Sequence, residues 1–336
     1  MVAWAKRVLT GVIVLPVLYL AFKTKLVQIP FFTIMYYQCQ KEYLNILKNM
    51  LRILFAKKME THKILEQYVD SVFKSKLQHL PSFIGMVILF IYDFDRIQFL
   101  LMILFLNIFF IVIFRILQYL KITNKILKEE EKLVQKLEKD QKQQTGKIKN
   151  DLMEGIEYEQ NFQHQAFLIQ FFIVSGELLC NVFFIFPFSY PLVFLNIENG
   201  PFFIILWLAI AFQSDNGALI VGKNKFCELI SPSKTIEGVF GAVFVSTLSS
   251  LLIGLLQYQF YFIPQIPLIQ FVIIGFFGGF FAVLGDFVES FIKRVAQVKD
   301  SGNFFPGHGG MMDRLDSLGF CAPFVFLYAH FVLHEI

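Results

Sequence analysis

The chain has 336 residues, of which 56% are hydrophobic and 17% are charged, and its formal net charge is +4. Soluble domains carry about 25% charged residues, so this deficit indicates a protein that lies in lipid. A nucleic-acid-binding protein would need a basic face with exposed aromatic residues, whereas most aromatic residues here lie inside uncharged runs. The four cysteines are far apart in the sequence and show no zinc-ligand spacing, so we expect them to be unpaired.

Apolar runs predict an all-α, polytopic membrane protein, because a helix needs about 20 apolar residues to cross a bilayer core. Seven runs qualify or come close: Val8–Phe22, Ile97–Leu120, Phe167–Pro187, Pro201–Val221, Val239–Ile263, Ile266–Val288 and Leu318–Leu333. Two shorter runs, Leu26–Tyr37 and Leu80–Tyr92, could be spans completed by flanking residues or interfacial segments. No small-residue cleavage site follows the first run, so we expect an uncleaved first span rather than a signal peptide.

The basic residues favour a count of nine spans. With nine, 26 of the 30 lysines and arginines share one side of the membrane, three lie on the other side, and Arg115 lies within a span. The basic side holds the N-terminus and the segments 39–80, 121–165, 222–237 and 289–317. The positive-inside rule then places these polar loops in the cytoplasm and the C-terminus opposite.

This pattern divides the chain into three predicted parts. Residues 1–120 form N-terminal transmembrane helices with a polar insertion at 39–80, residues 121–165 a polar cytoplasmic helical arm, and residues 166–336 the transmembrane domain with the candidate site. A solvated amphipathic or coiled helix is the simplest interpretation of the arm. Binding of anionic lipid headgroups through its lysines is the alternative.

Ionisable residues at the end of the run Ile266–Val288 form the first part of the candidate site. Ionisable groups within a span are costly and usually functional. If the helix continues, Asp286, Ser290 and Lys293 lie on one face, and Arg294 flanks that face. Charge that merely flanks a span end is the alternative for the two basic residues, and Asp286 beside them makes it less attractive.

A polar loop continues from this helix to the last span. It carries Lys299-Asp300, then Pro306-Gly-His308-Gly309-Gly310, then Asp313-Arg314-Leu-Asp316-Ser317. The glycines let the backbone approach a ligand and offer amide donors for phosphate oxygens. Helix capping accounts for one acid at a helix start, but not for two acids and an arginine. Carboxylates that meet phosphates are usual ligands of Mg²⁺, so Asp286 and Asp313 are the candidate metal ligands.

A second polar loop lies on the same predicted side. Asp215 ends one span, Lys223 follows, and Ser231-Pro-Ser-Lys234-Thr235-Ile-Glu237-Gly238 precedes the next span. Ser231 followed by Pro232 predicts a helix start, because serine caps helices and proline suits the first turn. That structural interpretation leaves Lys234, Thr235 and Glu237 unexplained at the membrane surface.

These residues resemble the CDP-diacylglycerol synthases, also called phosphatidate cytidylyltransferases. The stretch from Ser290 to Asp316 looks like the full family signature, without a gap. Gly285-Asp286 fits the family's Gly-Asp element, Ser231–Gly238 resembles its Ser-Pro-x-Lys-Thr-x-Glu-Gly element, and Arg7–Gly11 resembles its usual opening. The family often has Asn-Asp-x-x-Ala-Tyr where this chain has Ser214-Asp-Asn-Gly-Ala-Leu219, and the polar segments 39–80 and 121–165 are not part of the recognised pattern.

The resemblance implies a nucleotidyltransferase that converts CTP and phosphatidate to CDP-diacylglycerol and pyrophosphate. It implies Mg²⁺ at Asp286 and Asp313, with a second, monovalent cation as an option. The implied catalytic residues are Asp286, Lys293, Arg294, Lys299, Asp300, Asp313, Arg314 and Asp316. The implied CTP and phosphatidate contacts are Asp215, Lys223, Ser231, Lys234, Thr235, Glu237, Ser290, His308, Gly309 and Gly310.

Two other functions stay open at this point. A polyprenol or phytol kinase also brings CTP to a lipid, but it would not need the whole signature. A cation transporter would favour midplane charges or broken helices, whereas these acids lie at span ends. We expect contact with membrane lipids, no nucleic-acid partner, and a homodimer as an option. The membrane would be the endoplasmic reticulum or an organellar inner membrane in a eukaryote, or the cell membrane in a bacterium, with the site facing the cytoplasm or matrix.

Overall fold

A computed structural model describes residues 25–56, 63–74, 97–140, 148–194, 198–221, 225–227, 231–260, 264–306 and 309–334. The predicted spans Val8–Phe22 and Leu80–Tyr92 lie outside these residues, as do the predicted site residues Lys223 and His308. Cys39, Cys180 and Cys321 are free and buried, as expected from their spacing.

Four helices make up the N-terminal part: α1 (Lys25–Leu54), α2 (Lys63–Lys74), α3 (Ile97–Asp140) and α4 (Ile148–Cys180). The short run Leu26–Tyr37 is the first part of α1, which continues without a break into the polar segment 39–80. In α2, Leu65, Tyr68, Val69 and Val72 are buried at helical spacing, so one face of this helix packs on its neighbours.

The polar arm 121–165 is helical over 121–140 and 148–165 and is continuous with the apolar helices on either side of it. Helix α3 has 44 residues. At 1.5 Å per residue its length is about 66 Å, roughly twice the thickness of a bilayer's hydrocarbon core. The polar end of α3 therefore extends well beyond the apolar run that precedes it.

The C-terminal part contains α5 (Ser189–Phe194), α6 (Gly200–Val221), α7 (Ile236–Leu255), α8 (Leu268–Val295) and α9 (Met312–Tyr328). Five-residue π-helical turns extend α4 over Asn181–Ile185 and α9 over Ala329–Leu333. An antiparallel pair of short strands, β1 (Lys225–Cys227) and β2 (Ser231–Thr235), lies between α6 and α7.

The predicted helix start at Ser231 is wrong, because Ser231–Thr235 is extended and pairs with β1. Helix α7 begins at Ile236 instead. Its N-cap is Thr235, whose Oγ1 accepts a hydrogen bond from the Gly238 amide at 3.0 Å. This bond satisfies one of the amides that the first turn of a helix leaves without a partner, and it explains the threonine at this position.

Among the described residues, five helices are long and apolar enough to cross a membrane. They are Phe162–Phe183, Gly200–Val221, Ile236–Tyr258, Leu268–Val295 and Met312–Leu333. The predicted all-α, polytopic membrane fold is confirmed, and these helices correspond to the last five long apolar runs of the sequence. The total of nine spans stays a prediction.

Glycines bring the last four long helices into close contact. A Cβ atom at Gly241 of α7 would lie 2.7 Å from the Gly217 carbonyl oxygen of α6, and a Cβ at Gly217 would meet the Gly241 carbonyl in return. A Cβ at Gly285 of α8 would likewise meet the Asp316 carbonyl of α9. Small residues are the usual means of close helix approach in membranes. The Gly285 contact places Asp286 beside the first turns of α9.

Candidate active site

The polar end of the helix bundle collects side chains from four elements. These are Asp215 near the end of α6, Lys234 on β2, the group Asp286, Glu289, Ser290 and Lys293 on the last turns of α8, and Asp313 and Asp316 on the first turns of α9. Each of these residues lies in the last or first turns of its helix, or on the adjoining strand. The site is therefore built at one boundary of the apolar helices rather than in their middle.

Three carboxylates converge at the centre of this region. Asp286, Glu289 and Asp316 each offer one oxygen, and these oxygens lie within 4.8 Å of one another. Glu289 is fully buried; its Oε2 is paired with Lys293 Nζ, and its Oε1 has no hydrogen-bond partner in the described part of the chain. Buried carboxylate oxygens without hydrogen bonds are costly. The cluster therefore has the oxygen ligands, the spacing and an unsatisfied acceptor that suit a hard cation.

Asp313 has a different environment from these three acids. Its Oδ1 accepts a hydrogen bond from Lys293 Nζ at 2.7 Å, and its Oδ2 accepts one from the Gly310 amide at 2.7 Å. The Ser301 amide donates to both oxygens, at 3.1 and 3.0 Å. Three donors leave little acceptor capacity on one carboxylate. In this structure Asp313 joins α8, α9 and the loop between them.

Lys234 links the strand pair to α8. Its ammonium forms an ion pair with Asp286 Oδ2 and lies 4.3 Å from the centre of the Phe287 ring. Asp286 Oδ1 also accepts a hydrogen bond from Ser290 Oγ at 3.4 Å. The second polar loop and the signature helix therefore meet at Asp286.

Five carboxylates and three basic side chains interact electrostatically around the cluster. The acids are Asp215, Asp286, Glu289, Asp313 and Asp316, and the bases are Lys234, Lys293 and Arg314. With all eight groups ionised, two negative charges have no basic counterpart within this set. A divalent cation would balance that difference.

Hydrogen bonds within the loop between α8 and α9, and from the end of α8 to this loop, hold its conformation. The Phe305 amide donates to the Gly309 carbonyl at 2.9 Å, and Arg294 Nη1 donates to the Val298 carbonyl at 3.3 Å. Gly309 has a φ of +87°, and a Cβ at this position would lie 2.6 Å from Asp313 Oδ2. Glycine is therefore required there both by the backbone conformation and by the contact with Asp313.

A carboxylate from the N-terminal part reaches the same loop. Glu42 of α1 is 3% exposed and accepts hydrogen bonds from Ser301 Oγ and from the Met311 and Met312 amides, each at 3.0 Å. The first turn of α9 and the polar loop are thus joined to α1.

Most of the residues predicted for the site lie at this end of the bundle. Asp215, Asp286, Asp313, Asp316, Lys234, Ser290 and Lys293 lie together, and Arg314 is exposed but interacts electrostatically with Asp215. Gly309 and Gly310 lie against Asp313, and Thr235 serves as the α7 cap. Glu237 is half-buried in the first turn of α7, Arg294 contacts the loop, and Lys299 and Asp300 are exposed on it. Of Ser231 only the backbone is described. The metal pair of Asp286 and Asp313 stays a prediction, and the acids that the structure groups with Asp286 are Glu289 and Asp316.

Sequence reasoning missed Glu289 and Glu42. A signal for Glu289 was present, because it follows Asp286 by three residues and precedes Lys293 by four, and both spacings share a helix face. Glu42 is separated from its loop partners by 259 to 270 residues. No local pattern around it indicates that contact.

The fold and the site define an integral membrane protein with an acidic cluster at the ends of its apolar helices. Residues 5–332 match the model of the cytidylyltransferase family, and the chain belongs to this family. The resemblance to CDP-diacylglycerol synthases is thereby confirmed at the level of the family.

Several relatives carry the name phosphatidate cytidylyltransferase. The chain is 38% identical over 141 residues to that of Bacillus subtilis (strain 168), covering 40% of this chain and 51% of the relative. It is 41% identical over 128 residues to that of Staphylococcus epidermidis (36% and 44% covered), and 39% identical over 141 residues to that of Synechocystis (41% and 46% covered). The chain spans about half the length of the curated relatives it matches.

Proposed function

We propose that this chain is a phosphatidate cytidylyltransferase, which transfers the cytidylyl group of CTP to phosphatidate and releases pyrophosphate. The observation that carries the proposal is the convergence of Asp286, Glu289 and Asp316 at the boundary of the apolar helices. A lipid phosphate and a soluble nucleotide can meet only at such a boundary. Relatives of this name, 38 to 41% identical over their matched regions, support the same reaction.

The residues present fit a magnesium ion. Asp286, Glu289 and Asp316 would hold it, since one oxygen of each lies within 4.8 Å of the others and Glu289 Oε1 has no partner among the described residues. When bound, Mg²⁺ would neutralise triphosphate charge and orient the phosphates. Asp313 would act beside this centre, through its contacts with Lys293 and the loop. A second, monovalent cation stays an option, since the acidic set includes Asp215 as well.

The transfer itself needs positioning and charge more than acid–base chemistry. A phosphate oxygen of phosphatidate attacks the α-phosphorus of CTP. The bond from that phosphorus to the oxygen leading to the β-phosphate breaks, and pyrophosphate leaves with that oxygen. Lys293 is already held between Glu289 and Asp313, so the position of its ammonium group is set before the substrates bind. Arg294, Lys299 and Arg314 lie nearby and would bind the triphosphate and the leaving pyrophosphate.

An apolar cavity next to the site supports a lipid substrate. It lies between α7 and α8 and is lined by Ile236, Val239, Phe240, Phe280, Val283, Leu284 and Phe287. Phe287 also contacts Lys234, so an acyl chain in the cavity would lead to a phosphate beside that ammonium. We propose that this end of the bundle faces the cytoplasm or matrix, where CTP is available.

Two labels on CTP distinguish the proposed reaction from its nearest rival. Membranes that contain the chain are incubated with phosphatidate, a polyprenol or phytol, Mg²⁺ and CTP labelled either on the α- or on the γ-phosphorus. Cytidylyl transfer places the α-label in lipid and the γ-label in pyrophosphate. A lipid kinase would place the γ-label in lipid and release CDP. Absence of α-label from the lipid, with folded protein in the membrane, would refute the proposal.

The transporter and the homodimer are tested separately. Liposomes that contain the chain should take up no labelled cation beyond the leak of empty liposomes, and uptake that saturates with cation concentration would favour a transporter. Crosslinking in membranes should trap a dimer if the protein works as one.

A further inference from the structure

Glu42 is a buried carboxylate whose partners lie mostly at the other end of the chain. Its Oε1 accepts hydrogen bonds from Gln38 of the same helix, at 2.8 Å, and from the Met311 amide, at 3.0 Å. Its Oε2 accepts from Ser301 Oγ and from the Met312 amide, both at 3.0 Å. Burying a charged group is costly unless it is well hydrogen-bonded, and here four donors meet that need.

Glu42 supplies the cap that α9 lacks. The residue at the N-cap of this helix, Met311, has no side chain that can accept a hydrogen bond from the first turn. The first amides of a helix need acceptors, and the positive end of the helix dipole favours a carboxylate. Glu42 meets both needs from α1, so the start of α9 is fixed relative to that helix.

The capped turn and the turn after it carry two acids of the site. Asp313 directly follows Met312, and Asp316 lies one turn further along α9. Ser301 joins the same network, because its Oγ donates to Glu42 while accepting from the Asp313 amide at 3.3 Å. A shift of the Glu42 carboxylate would therefore move both the loop and the acids.

Two glycines of the loop leave the space that Glu42 fills. A Cβ atom at Gly302 would lie 2.7 Å from Glu42 Oε1, and the three atoms nearest to it all belong to Glu42. A Cβ at Gly310 would meet Ser301 Oγ and Glu42 Oε2. The absence of side chains at these positions of the signature is thus matched to a carboxylate from the N-terminal part.

We propose that Glu42 is a positioning residue for the active site, holding the loop at Ser301, Gly302 and Gly310 and the first turn of α9 in the geometry that transfer requires. The proposal rests on the proposed function, because the geometry it protects is that of cytidylyl transfer. It also assigns an active-site role to a helix that lies outside the recognised signature.

The first test replaces the carboxylate without changing its size. In Glu42→Gln the amide nitrogen faces N–H and O–H donors, so at least one loop contact is lost. We expect kcat to fall about 10- to 100-fold, the range reached when catalytic groups are displaced by up to about 1 Å. The KM for phosphatidate should change less than about twofold, because that lipid contacts other residues. Glu66→Gln, an exposed glutamate on α2, is the matched control and should behave as wild type.

The second test uses the contact with Gly302. In the wild-type background Gly302→Ala forces Glu42 aside, and we expect kcat to fall about tenfold. In a Glu42→Ala background the added methyl group meets no carboxylate, so the same substitution should cost less than about twofold. An equal cost of Gly302→Ala in both backgrounds would overturn the proposal, and this comparison holds even if Glu42→Ala lowers the yield of folded protein.

Hydrogen exchange separates this proposal from the proposed function. Peptides that cover residues 299–312 should exchange their amides faster in Glu42→Gln than in wild type, whereas peptides from α6 and α7 should not change. If wild type transfers no cytidylyl group, the proposed function fails, and exchange still decides whether Glu42 holds the loop. Wild-type exchange together with wild-type kcat in Glu42→Gln would refute the positioning role.

Discussion

Charged and polar side chains are buried in both parts of the molecule, but they are satisfied to different degrees. In the N-terminal helices Arg115 is fully buried, and Glu177 faces it with both oxygens. At the ends of α8 and α9, Glu289 is equally buried, but only its Oε2 is paired, with Lys293, and its Oε1 has no hydrogen-bond partner among the described residues. An ionisable group in a span is thus not enough to identify a site. The two residues, Glu177 and Glu289, differ in how many of their carboxylate oxygens are hydrogen-bonded or paired within the protein.

The hydrogen bonds around Arg115 indicate that this residue has a structural role. Its Nε donates to Glu177 at 2.7 Å, and Nη1 donates to Gln118. Gln118 in turn donates to the Val72 carbonyl at 3.0 Å, and Gln170 donates to the Arg115 carbonyl at 2.9 Å. The network joins α2, α3 and α4, so it fixes the packing of the N-terminal helices.

The largest effect should follow from breaking this pair. Arg115→Leu leaves Glu177 buried without its partner, a change that typically costs about 3–5 kcal/mol. We expect a sharp loss of folded protein and of thermal stability in detergent. Turnover per folded molecule should stay close to wild type. In Arg115→Leu/Glu177→Leu, which removes both charges, most of the stability should return. Turnover lost from a stable Arg115→Leu protein would contradict the comparison.

Removing one acid of the cluster should lower turnover and leave the stability of the fold largely unchanged. Asp286→Asn and Glu289→Gln should each lower turnover by about 10²- to 10³-fold, equivalent to about 2.7–4 kcal/mol. Without Mg²⁺ their thermal stability should stay close to that of wild type, because relief of the repulsion between acids offsets the lost pairing with Lys234 or Lys293. Mg²⁺ should raise the melting temperature of wild type and not that of either variant, because only a bound ion stabilises. A magnesium-induced shift retained in both variants would rule out this cluster as the site.

The variant Asp313→Asn distinguishes two roles of Asp313, that of a metal ligand and that of an anchor for the loop. Both roles predict a loss of turnover. If Asp313 acts through Lys293 and the loop amides, the variant keeps the magnesium-induced rise in melting temperature. If it is a metal ligand, as the resemblance implies, that rise disappears. The same thermal assay on one variant therefore decides between the two roles.

Thr235 is a residue of the site whose side chain already has a hydrogen-bond partner within the protein. Because its hydroxyl caps α7, Thr235→Ala should cost about 1 kcal/mol of stability, the usual cost of a lost N-cap. Thr235→Ser, which keeps the oxygen, should cost little. If the threonine also binds CTP, as the resemblance implies, the KM for CTP rises in Thr235→Ala at temperatures where the protein is fully folded. An unchanged KM for CTP would leave only the capping role.

The smallest effect is expected at Asp70, on the surface of α2. Hydrogen bonding to Lys48, with further attraction from Arg52, holds the pKa of Asp70 below its ordinary value. A lowered pKa means that the pair stabilises the fold above pH of about 4 and that this contribution is lost as the pH falls further. Asp70→Asn should lower the free energy of unfolding by about 0.2–1 kcal/mol at pH 7. It should also make the free energy of unfolding depend less steeply on pH in the acidic range. An unchanged dependence on pH in this range would show that the pair contributes nothing.

Much of the C-terminal part could be predicted from the sequence, because its signals are local. Long uncharged runs identify α6 to α9, and the spacing of Asp286, Ser290 and Lys293 places them on one helix face. The helix boundary at Ser231 was wrong, since strand pairing with β1 overrides the Ser-Pro signal and moves the cap to Thr235. A cap can be recognised by its hydrogen bond only when the fold is known.

The contacts between distant parts of the chain could not be predicted. Glu42 lies in a segment that looks like a solvated polar insertion, and its loop partners follow more than 250 residues later. The choice between Asp313 and Glu289 as an acid of the central cluster also depends on the loop, because the Ser301 and Gly310 amides occupy Asp313. Residue type and spacing identify which groups come near the site, whereas hydrogen bonding decides which of them remain available to a ligand.

The crossing of α6 and α7 at Gly217 and Gly241 limits how the protein can move during turnover. Two backbones that touch at this point cannot slide past each other in small steps without overlap, since packed interfaces shift between discrete arrangements. We therefore expect this pair of helices to stay rigid through the catalytic cycle. Any opening that the substrates of the proposed reaction require would then have to come from elements other than this pair of helices.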